Sequence, residues 1–169
     1  MIKDNNTNMT DYNLLNKQVE ALAEDVKWDI TLFANVSALL YEAMDKVNWA
    51  GFYILKEEEL LLGPFQGKAA CMCIPVGKGV CGTAVKEKRI LRIDDVHSFK
   101  GHIACDSASN SEIVLPIFRN DSVFGVLDID SPIRGRFHSL VRMFQNWPCT
   151  SVLALEWAIW LKNHPFSGN

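Results

Sequence analysis

The spacing of apolar positions divides the chain into two helical segments followed by a series of short strands. From Thr10 onwards, apolar residues recur at intervals of three and four, which predicts an amphipathic helix with Thr10 or Asp11 as its N-cap. The same kind of pattern predicts a second helix from Trp28 to Met44. Residues 1–9 are polar and lack any such pattern, so we expect them to form a disordered tail.

The middle of the chain is rich in patterns typical of antiparallel strands. The aromatic and β-branched run Val47–Leu55 predicts a strand, the acidic run KEEE a turn, and LLLGPF the returning strand. AACMCIPV predicts a third strand that ends near Pro75, and the glycine-rich GKGVCGTAVKEK predicts a turn leading into a short helix. Ile93–Ser111 is predicted to be mostly loop. The clearest hairpin is SEIVLPIFRNDSVFGVLDIDS, which reads as two strands joined by a turn at 119–122.

The order of these elements indicates the fold class. Strands that follow one another in hairpins, without regular βαβ alternation, favour an antiparallel sheet with helices packed on one face, which is an α+β fold. A last helix is predicted from Phe137 to Leu161, with an interruption at Pro148. No repeat or linker is visible, so we expect residues 10–169 to form a single domain.

Composition and charge exclude several classes of function. The net charge of −3 and the isoelectric point near 5.8 give no basic surface for nucleic acid. The N-terminal residues lack the apolar run of a signal peptide, and the longest apolar run, SVLALEWAIWL, is too short to span a bilayer. A cytoplasmic protein without a membrane partner is therefore expected. Five cysteines, an odd number, argue against a disulfide framework and for buried thiols, metal ligands or reactive cysteines.

Three cysteines lie at the edges of predicted elements: Cys71, Cys81 and Cys105. The thiolate is the reactive form of cysteine, and backbone N–H groups at a turn or a helix start favour it. Cys81 in the GVCG turn fits that setting, and Cys105 fits it if the N–H groups of its polar loop converge on the sulfur. The alternative, which stays open, is that each cysteine is a small buried apolar side chain.

Zinc binding is the competing explanation for the thiols. The chain has no Cys-x-x-Cys pair, so the spacing is poor for a structural zinc site, and we expect no metal. The side chains that could in principle supply zinc ligands are those of Cys71, Cys73, Cys81, Cys105, His97 and His102.

A second group of candidate residues is acidic. Asp128 and Asp130 lie two apart on a predicted strand, so both carboxylates project from the same face. Glu112 opens the partner strand of the same hairpin and would bring a third carboxylate to the site. Two carboxyl groups at such a short distance resist simultaneous ionisation, so that one of them stays protonated or needs a cation. An acidic pocket of this kind fits a substrate ammonium group, or a reaction that needs a proton donated to oxygen. The alternative is that the strand simply frays into a turn before Ser131.

Trp49 and Tyr53 are four residues apart on one predicted strand and therefore share a face. Aromatic residues at this spacing are usually core residues. Beside an acidic pocket they would instead form walls for a small apolar or cationic group. Both interpretations stay open.

Several motifs together resemble one family. The runs are NWAGFY, LGPFQGKAAC, GKGVCGTA, DVHSFKGHIACDS, SEIVLPIF and GVLDIDSP. They resemble the free methionine-(R)-sulfoxide reductases, which are stand-alone enzymes built on a GAF domain. The resemblance covers about residues 10–137 and implies a GAF-like fold.

The resemblance also implies roles for individual residues. It implies that Cys105 in HIACDS is the catalytic cysteine, Cys71 in GKAAC the main resolving cysteine, and Cys81 in GVCG an additional redox partner. The positions that are similar to the family's substrate pocket are Trp49, Tyr53, Glu112, Asp128 and Asp130.

The implied activity is the thiol-dependent reduction of free L-methionine-(R)-S-oxide to L-methionine, without a cofactor. The reaction would pass through a sulfenic acid at Cys105 and an intramolecular disulfide, which thioredoxin would reduce. The alternative from a different class is a GAF module that senses a small ligand or the redox state without turnover. A homodimer also stays open.

The chain departs from the family pattern in two places. Cys73 lies where the family usually has another residue, so it is expected to take no part in the reaction. From about residue 138 the sequence lacks the acidic helix start that is typical of the family, and it contains Pro148 and Cys149 instead. We therefore expect this C-terminal part to be atypical.

Overall fold

A computed structural model describes residues 10–24, 28–103 and 105–138. Within these residues three α-helices and six strands follow one another along the chain, with a short 3-10 helix between the fourth and fifth strands. Their bounds, in chain order, are α1 Tyr12–Ala23, α2 Asp29–Ala43, β1 Trp49–Lys56, β2 Glu59–Gly67, β3 Cys73–Pro75, α3 Gly79–Glu87, β4 Leu91–Ile93, the 3-10 helix Val96–Ser98, β5 Ser111–Arg119 and β6 Ser122–Ser131.

The six strands form one sheet in the order β3-β2-β1-β6-β5-β4, and every neighbouring pair is antiparallel. The predicted hairpin is confirmed as β5 and β6. Its turn consists of Asn120 and Asp121, whose φ angles are 49° and 60°. Asparagine and aspartate tolerate positive φ better than other residues with a side chain, and a two-residue turn of this kind matches the twist of the strands it joins. The predicted α+β antiparallel fold is therefore confirmed.

The two N-terminal helices pack on one face of the sheet, as predicted. Asp11 caps α1, because its side chain accepts hydrogen bonds from the backbone N–H groups of Asn13 and Leu14 at 3.0 and 3.1 Å. Helix α2 lies against β1 and β2. The helix that follows the glycine-rich turn, α3, packs on the opposite face of the sheet.

The alternation of side chains along the central strands separates two cores. One core lies under α1 and α2 and contains Ala50 and Phe52 of β1 together with Leu127 and Ile129 of β6. The other lies under α3 and contains the alternate residues of the same strands. Because successive side chains of a strand point to opposite faces, one set of strands supplies both layers.

The third strand is shorter than the prediction from AACMCIPV. Only Cys73–Pro75 pairs with β2, and Cys71 lies before the strand rather than on it. Pro75 has no N–H to donate to a ladder, so the strand ends there. The prediction that Cys71 belongs to a strand is therefore wrong. The short strand β4, just before the predicted loop, was not predicted.

The helix predicted from Phe137 lies outside the described residues except for Phe137 and His138, which are part of a turn. The interruption predicted at Pro148 and the disordered tail predicted for residues 1–9 lie outside them as well. Among the helices that the structure describes, none is both long enough and apolar enough to cross a membrane.

Candidate active site

A pocket lies between α3 and the sheet, and the loop before β5 closes its outer side. Seven of the eight residues singled out in the sequence line this pocket; the eighth, Cys71, is joined to it by a covalent bond. The lining residues among them are Trp49, Tyr53, Cys81, Cys105, Glu112, Asp128 and Asp130.

The register of the sheet brings the three carboxyl groups together. Glu112 of β5 lies directly opposite Asp130 of β6, and Asp128 lies two residues before Asp130 on the same face. Glu112 and Asp128 are each only 6% exposed. The Oδ1 atom of Asp128 is buried and has no hydrogen-bond partner among the described residues. A buried carboxyl oxygen without a partner is costly, so the pocket is built to receive a donor or a cation.

Burial and mutual repulsion make these carboxyl groups hard to ionise. Loss of hydration raises the pKa of Asp128 to about 7. The pKa of Glu112 is raised well above its ordinary value, first by burial and then by the charge of Asp128. The same two causes, with a smaller contribution from Asp106, raise the pKa of Asp130. Protonated carboxyl groups are therefore present in this pocket near neutral pH.

A disulfide joins Cys71 and Cys105 at the edge of the pocket, with their Cα atoms 5.6 Å apart. This separation lies within the range that a disulfide allows. Tyr53 holds the Cys71 side of the bond, because its hydroxyl donates a hydrogen bond to the Cys71 carbonyl at 3.0 Å. The two cysteines that were expected to exchange electrons are thus directly bonded.

The environment of Cys81 differs from the expectation. Cys81 lies in the first turn of α3 and is 3% exposed, and its thiol donates a hydrogen bond to Oε1 of Glu112 at 3.8 Å. Burial raises the pKa of this thiol well above its ordinary value, and the charges of Asp128 and Glu112 raise it further. The prediction that backbone N–H groups favour a thiolate at Cys81 is therefore wrong, because desolvation and two carboxyl groups outweigh them.

The aromatic residues form one wall of the pocket. The rings of Trp49 and Tyr53 are stacked with their centroids 5.9 Å apart, and Trp49 also stacks on Phe65 at 5.3 Å. Gly51 lies between them on the same face of β1. A Cβ atom at Gly51 would lie 2.7 Å from Cη2 of Trp49, so only glycine leaves room for this stack. The indole N–H of Trp49 donates a hydrogen bond to the Lys68 carbonyl at 3.1 Å.

A polar network that the sequence analysis missed fixes the loop that carries Cys105. Asp106 accepts hydrogen bonds from the Ala108 N–H at 2.9 Å and from Nδ2 of Asn48 at 3.2 Å, and it pairs with Lys68 at 3.3 Å. The Ala108 N–H, followed by Asn48 and Lys68, holds the pKa of Asp106 below its ordinary range. Asn48 also donates to Ser109 at 3.0 Å. The sequence offers one clue to these two residues: Asp106 directly follows Cys105, and Asn48 directly precedes Trp49.

His102 is a second residue of the pocket that the sequence analysis did not assign to it. Its Nε2 atom lies 3.8 Å from Oε2 of Glu112. Burial, and then the charge of His97, lower the pKa of His102. The imidazole is therefore neutral near pH 7 and can donate or accept a single proton beside Glu112.

The chain is similar to known proteins over most of its length. The GAF domain family matches residues 33–143. The free methionine-R-sulfoxide reductase of Escherichia coli is 58% identical over 123 residues, which cover 73% of this chain and 74% of the relative. The reduced form of fRMsr of Staphylococcus aureus has a TM-score of 0.76 at 57% identity, covering 79% of this chain and 86% of that chain. The structure of the free methionine-R-sulfoxide reductase of Neisseria meningitidis in complex with its substrate has a TM-score of 0.74 at 36% identity. The match covers 90% of this chain and 86% of that chain.

Proposed function

The chain belongs to the GAF-domain family of free methionine-R-sulfoxide reductases and is an oxidoreductase, and from this premise we propose that it reduces free L-methionine-(R)-S-oxide through a sulfenic acid at Cys105. The observation that carries the proposal is the disulfide between Cys105 and Cys71 at the edge of a pocket lined by three carboxyl groups. The disulfide is the product that the proposed cycle leaves behind.

In the first step, the Cys105 thiolate attacks the sulfoxide sulfur while a carboxylic acid protonates the sulfoxide oxygen. Glu112 supports this role, because burial and the charge of Asp128 keep it protonated to higher pH than an ordinary carboxyl group. The protonated oxygen is then transferred from the methionine sulfur to the Cys105 sulfur: the S–O bond of the sulfoxide breaks, and a new S–O bond forms on Cys105. The transient S–S bond breaks at the same time, so methionine leaves and Cys105 remains as a sulfenic acid. The sulfoxide has then been reduced by two electrons, and Cys105 has been oxidised by two.

In the second step, the thiol of Cys71 attacks the sulfenic sulfur and water leaves, which forms the disulfide. Thioredoxin then reduces this disulfide by thiol–disulfide exchange. Cys81 serves as an additional redox partner in the proposal, and its raised pKa makes it a slower nucleophile than an ordinary exposed thiol. A cycle that ends on a protein dithiol needs a reducing compartment, so we propose a cytoplasmic location.

Substrate selection follows from the charge of the pocket. The ammonium group of a free amino acid would lie against the carboxyl groups of Asp128 and Asp130 and favour their ionised forms. A methionine sulfoxide inside a peptide has no ammonium group. If such a residue entered the pocket, the buried Oδ1 atom of Asp128 would be left without a partner. Trp49 and Tyr53 supply an apolar wall for the methyl and methylene groups.

The test is to measure methionine release from the separate R and S epimers of free methionine sulfoxide, with thioredoxin and its reductase as the electron source. We expect turnover on the R epimer, and much slower turnover on the S epimer and on N-acetylated methionine-(R)-sulfoxide. Equal rates on the free and the N-acetylated compound would remove the ammonium argument. A chain that binds the sulfoxide but releases no methionine would instead be the sensing GAF module that the sequence left as the alternative. A homodimer stays a prediction, which size-exclusion chromatography tests.

A further inference from the structure

The pocket contains a cluster of metal-binding atoms that the reduction chemistry does not require as a set. The Sγ atom of Cys81, one carboxylate oxygen of Glu112 and one of Asp128 all lie within 4.8 Å of one another, and all three residues are buried. They come from α3, β5 and β6, so three separate elements hold them in place. Such an arrangement is fixed by the fold rather than by one flexible segment.

The distance between the sulfur and one of the oxygens is close to that of a tetrahedral zinc site. Zinc bonds to sulfur at about 2.3 Å and to carboxylate oxygen at about 2.0 Å, which places sulfur and oxygen ligands about 3.5 Å apart. The Sγ atom of Cys81 lies 3.8 Å from Oε1 of Glu112, so a movement of a few tenths of an ångström brings both into range. The donor set of one sulfur and two oxygens suits zinc, whereas magnesium and calcium prefer oxygen alone.

An independent observation points to a missing ligand at the same place. The Oδ1 atom of Asp128 is buried, has no hydrogen-bond partner among the described residues, and belongs to a residue that lines the pocket. The spacing of the cysteine and histidine residues alone is poor for zinc. The two carboxyl groups that complete the cluster lie on the neighbouring strands of one hairpin.

We propose that Cys81, Glu112 and Asp128 bind a single zinc ion, and that this ion blocks the pocket against the sulfoxide substrate. Zinc would replace the thiol proton of Cys81 and the protons that Glu112 and Asp128 hold near neutral pH, and these protons pass to solvent. The fourth position of the metal would be left for water. Because Asp128 is also assigned to the substrate, bound zinc excludes the substrate from its binding group. The inhibition rests on the proposed function, whereas the binding does not.

The disulfide makes a clean test of binding possible. In the disulfide-bonded chain, Cys71 and Cys105 have no thiol to offer a metal. With Cys73→Ser and Cys149→Ser added, Cys81 is the only thiol left of the five cysteines. Zinc binding to this chain is measured by isothermal titration calorimetry. Cobalt is then used as a probe, because a thiolate bound to cobalt gives a sulfur-to-metal charge-transfer band in the near ultraviolet.

We expect one zinc ion per chain and a cobalt–thiolate band. Cys81→Ser should remove the band, and Asp128→Asn should weaken zinc binding at least tenfold, while Asp121→Asn at the far end of the same hairpin changes neither. Unchanged affinity in both Cys81→Ser and Asp128→Asn, in chains whose circular dichroism matches that of the parent, would overturn the proposal. Absence of binding to the parent chain would overturn it as well. Glu112→Gln gives a second oxygen-ligand variant if Asp128→Asn fails to fold.

Inhibition is measured separately in a single turnover. The wild-type chain is reduced, freed of small thiols that would chelate zinc, and mixed with methionine-(R)-sulfoxide with and without one equivalent of zinc. We expect zinc to suppress the release of methionine. Release at an unchanged rate, with zinc bound, would overturn the blocking part of the proposal. No release even without zinc would contradict the proposed function and leave the calorimetric result standing.

Discussion

The two faces of the central sheet use the same strands for opposite purposes. The face under α1 and α2 is a closed apolar core, in which Ile113, Leu115 and Ile129 are all 0% exposed. On the face under α3, the alternate positions of β5 and β6 carry Glu112 and Asp128, which are each only 6% exposed but can ionise. One face therefore stabilises the fold by removing apolar surface from water, and the other keeps reactive groups out of water at a cost in stability.

The ionisable groups of the pocket make the stability of the fold depend on pH. A carboxyl group whose pKa is raised in the folded state binds its proton more tightly there than in the unfolded chain. Its contribution to stability is therefore lost as the pH rises from the pKa of the group in the unfolded chain to its pKa in the folded state. For Asp128 this interval runs from its ordinary value of 3.8 to about 7. Among the described residues, the buried cluster under α1 and α2 consists of apolar side chains, so we expect its contribution to stability not to depend on pH over this range.

The largest effect is expected at the attacking sulfur. Cys105→Ser removes the sulfur that attacks the sulfoxide and supplies the two electrons for its reduction. Methionine release should therefore fall to background even in a single turnover. Cys73→Ser is the matched control, because Cys73 is an exposed free thiol at the start of β3, two residues after Cys71. The measurement is methionine per chain after one turnover. Methionine release by Cys105→Ser would move the nucleophile to another cysteine.

The second effect is expected at Asp128. Asp128→Asn removes a group that carries charge or a proton in the transition state, and kcat/KM should fall by about 10² to 10³. The variant should also lose less stability than the wild type between pH 4 and pH 7, because the raised pKa of Asp128 is gone. Both are measured beside Asp121→Asn, which lies in the hairpin turn away from the pocket. Normal kcat/KM in Asp128→Asn would remove this residue from the reaction.

On the apolar face the effect should appear in stability alone. Leu115→Ala leaves a cavity in a fully buried position, which should cost about 2–5 kcal/mol in the free energy of unfolding. The kcat/KM of the molecules that remain folded should stay close to that of the wild type, since Leu115 points away from the pocket. Urea denaturation and an activity assay on the same samples separate the two quantities. A large loss of kcat/KM at full folding would show that the two faces are coupled.

The smallest effect is expected in the network behind the Cys105 loop. Asn48→Ala removes two hydrogen bonds, to Asp106 and to Ser109, and should cost on the order of 1 kcal/mol in stability together with a few-fold loss of kcat. Lys68→Ala should have a smaller effect, because the Lys68 side chain is 72% exposed and its pair with Asp106 is screened by solvent. Equal losses in the two variants would mean that Asn48 does not position the loop.

The sequence predicted most of what depends on local pattern. The β5–β6 hairpin, its turn at Asn120 and Asp121, and the shared face of Asp128 and Asp130 all follow from alternation and turn chemistry. Cys81 was misjudged because its environment is set by Glu112 and Asp128, which approach from other elements. The roles of Asn48 and Asp106 were missed for the same reason, since their hydrogen bond joins residues that are 58 positions apart. Contacts between distant parts of the chain leave no periodic signal.

The central claim is that Cys105 attacks the sulfoxide and that Cys71 then captures it as a disulfide. The most direct test reduces the wild-type chain and Cys71→Ser, supplies methionine-(R)-sulfoxide without a reductant, and measures released methionine while mass spectrometry maps the disulfides. For the wild type we predict one methionine per chain and a Cys71–Cys105 disulfide. For Cys71→Ser we predict about one methionine per chain and a trappable sulfenic acid at Cys105. When thioredoxin is added afterwards, this variant should not turn over further, whereas added small thiols should partly restore turnover. A wild-type chain that releases methionine without any disulfide to Cys105 would contradict the account.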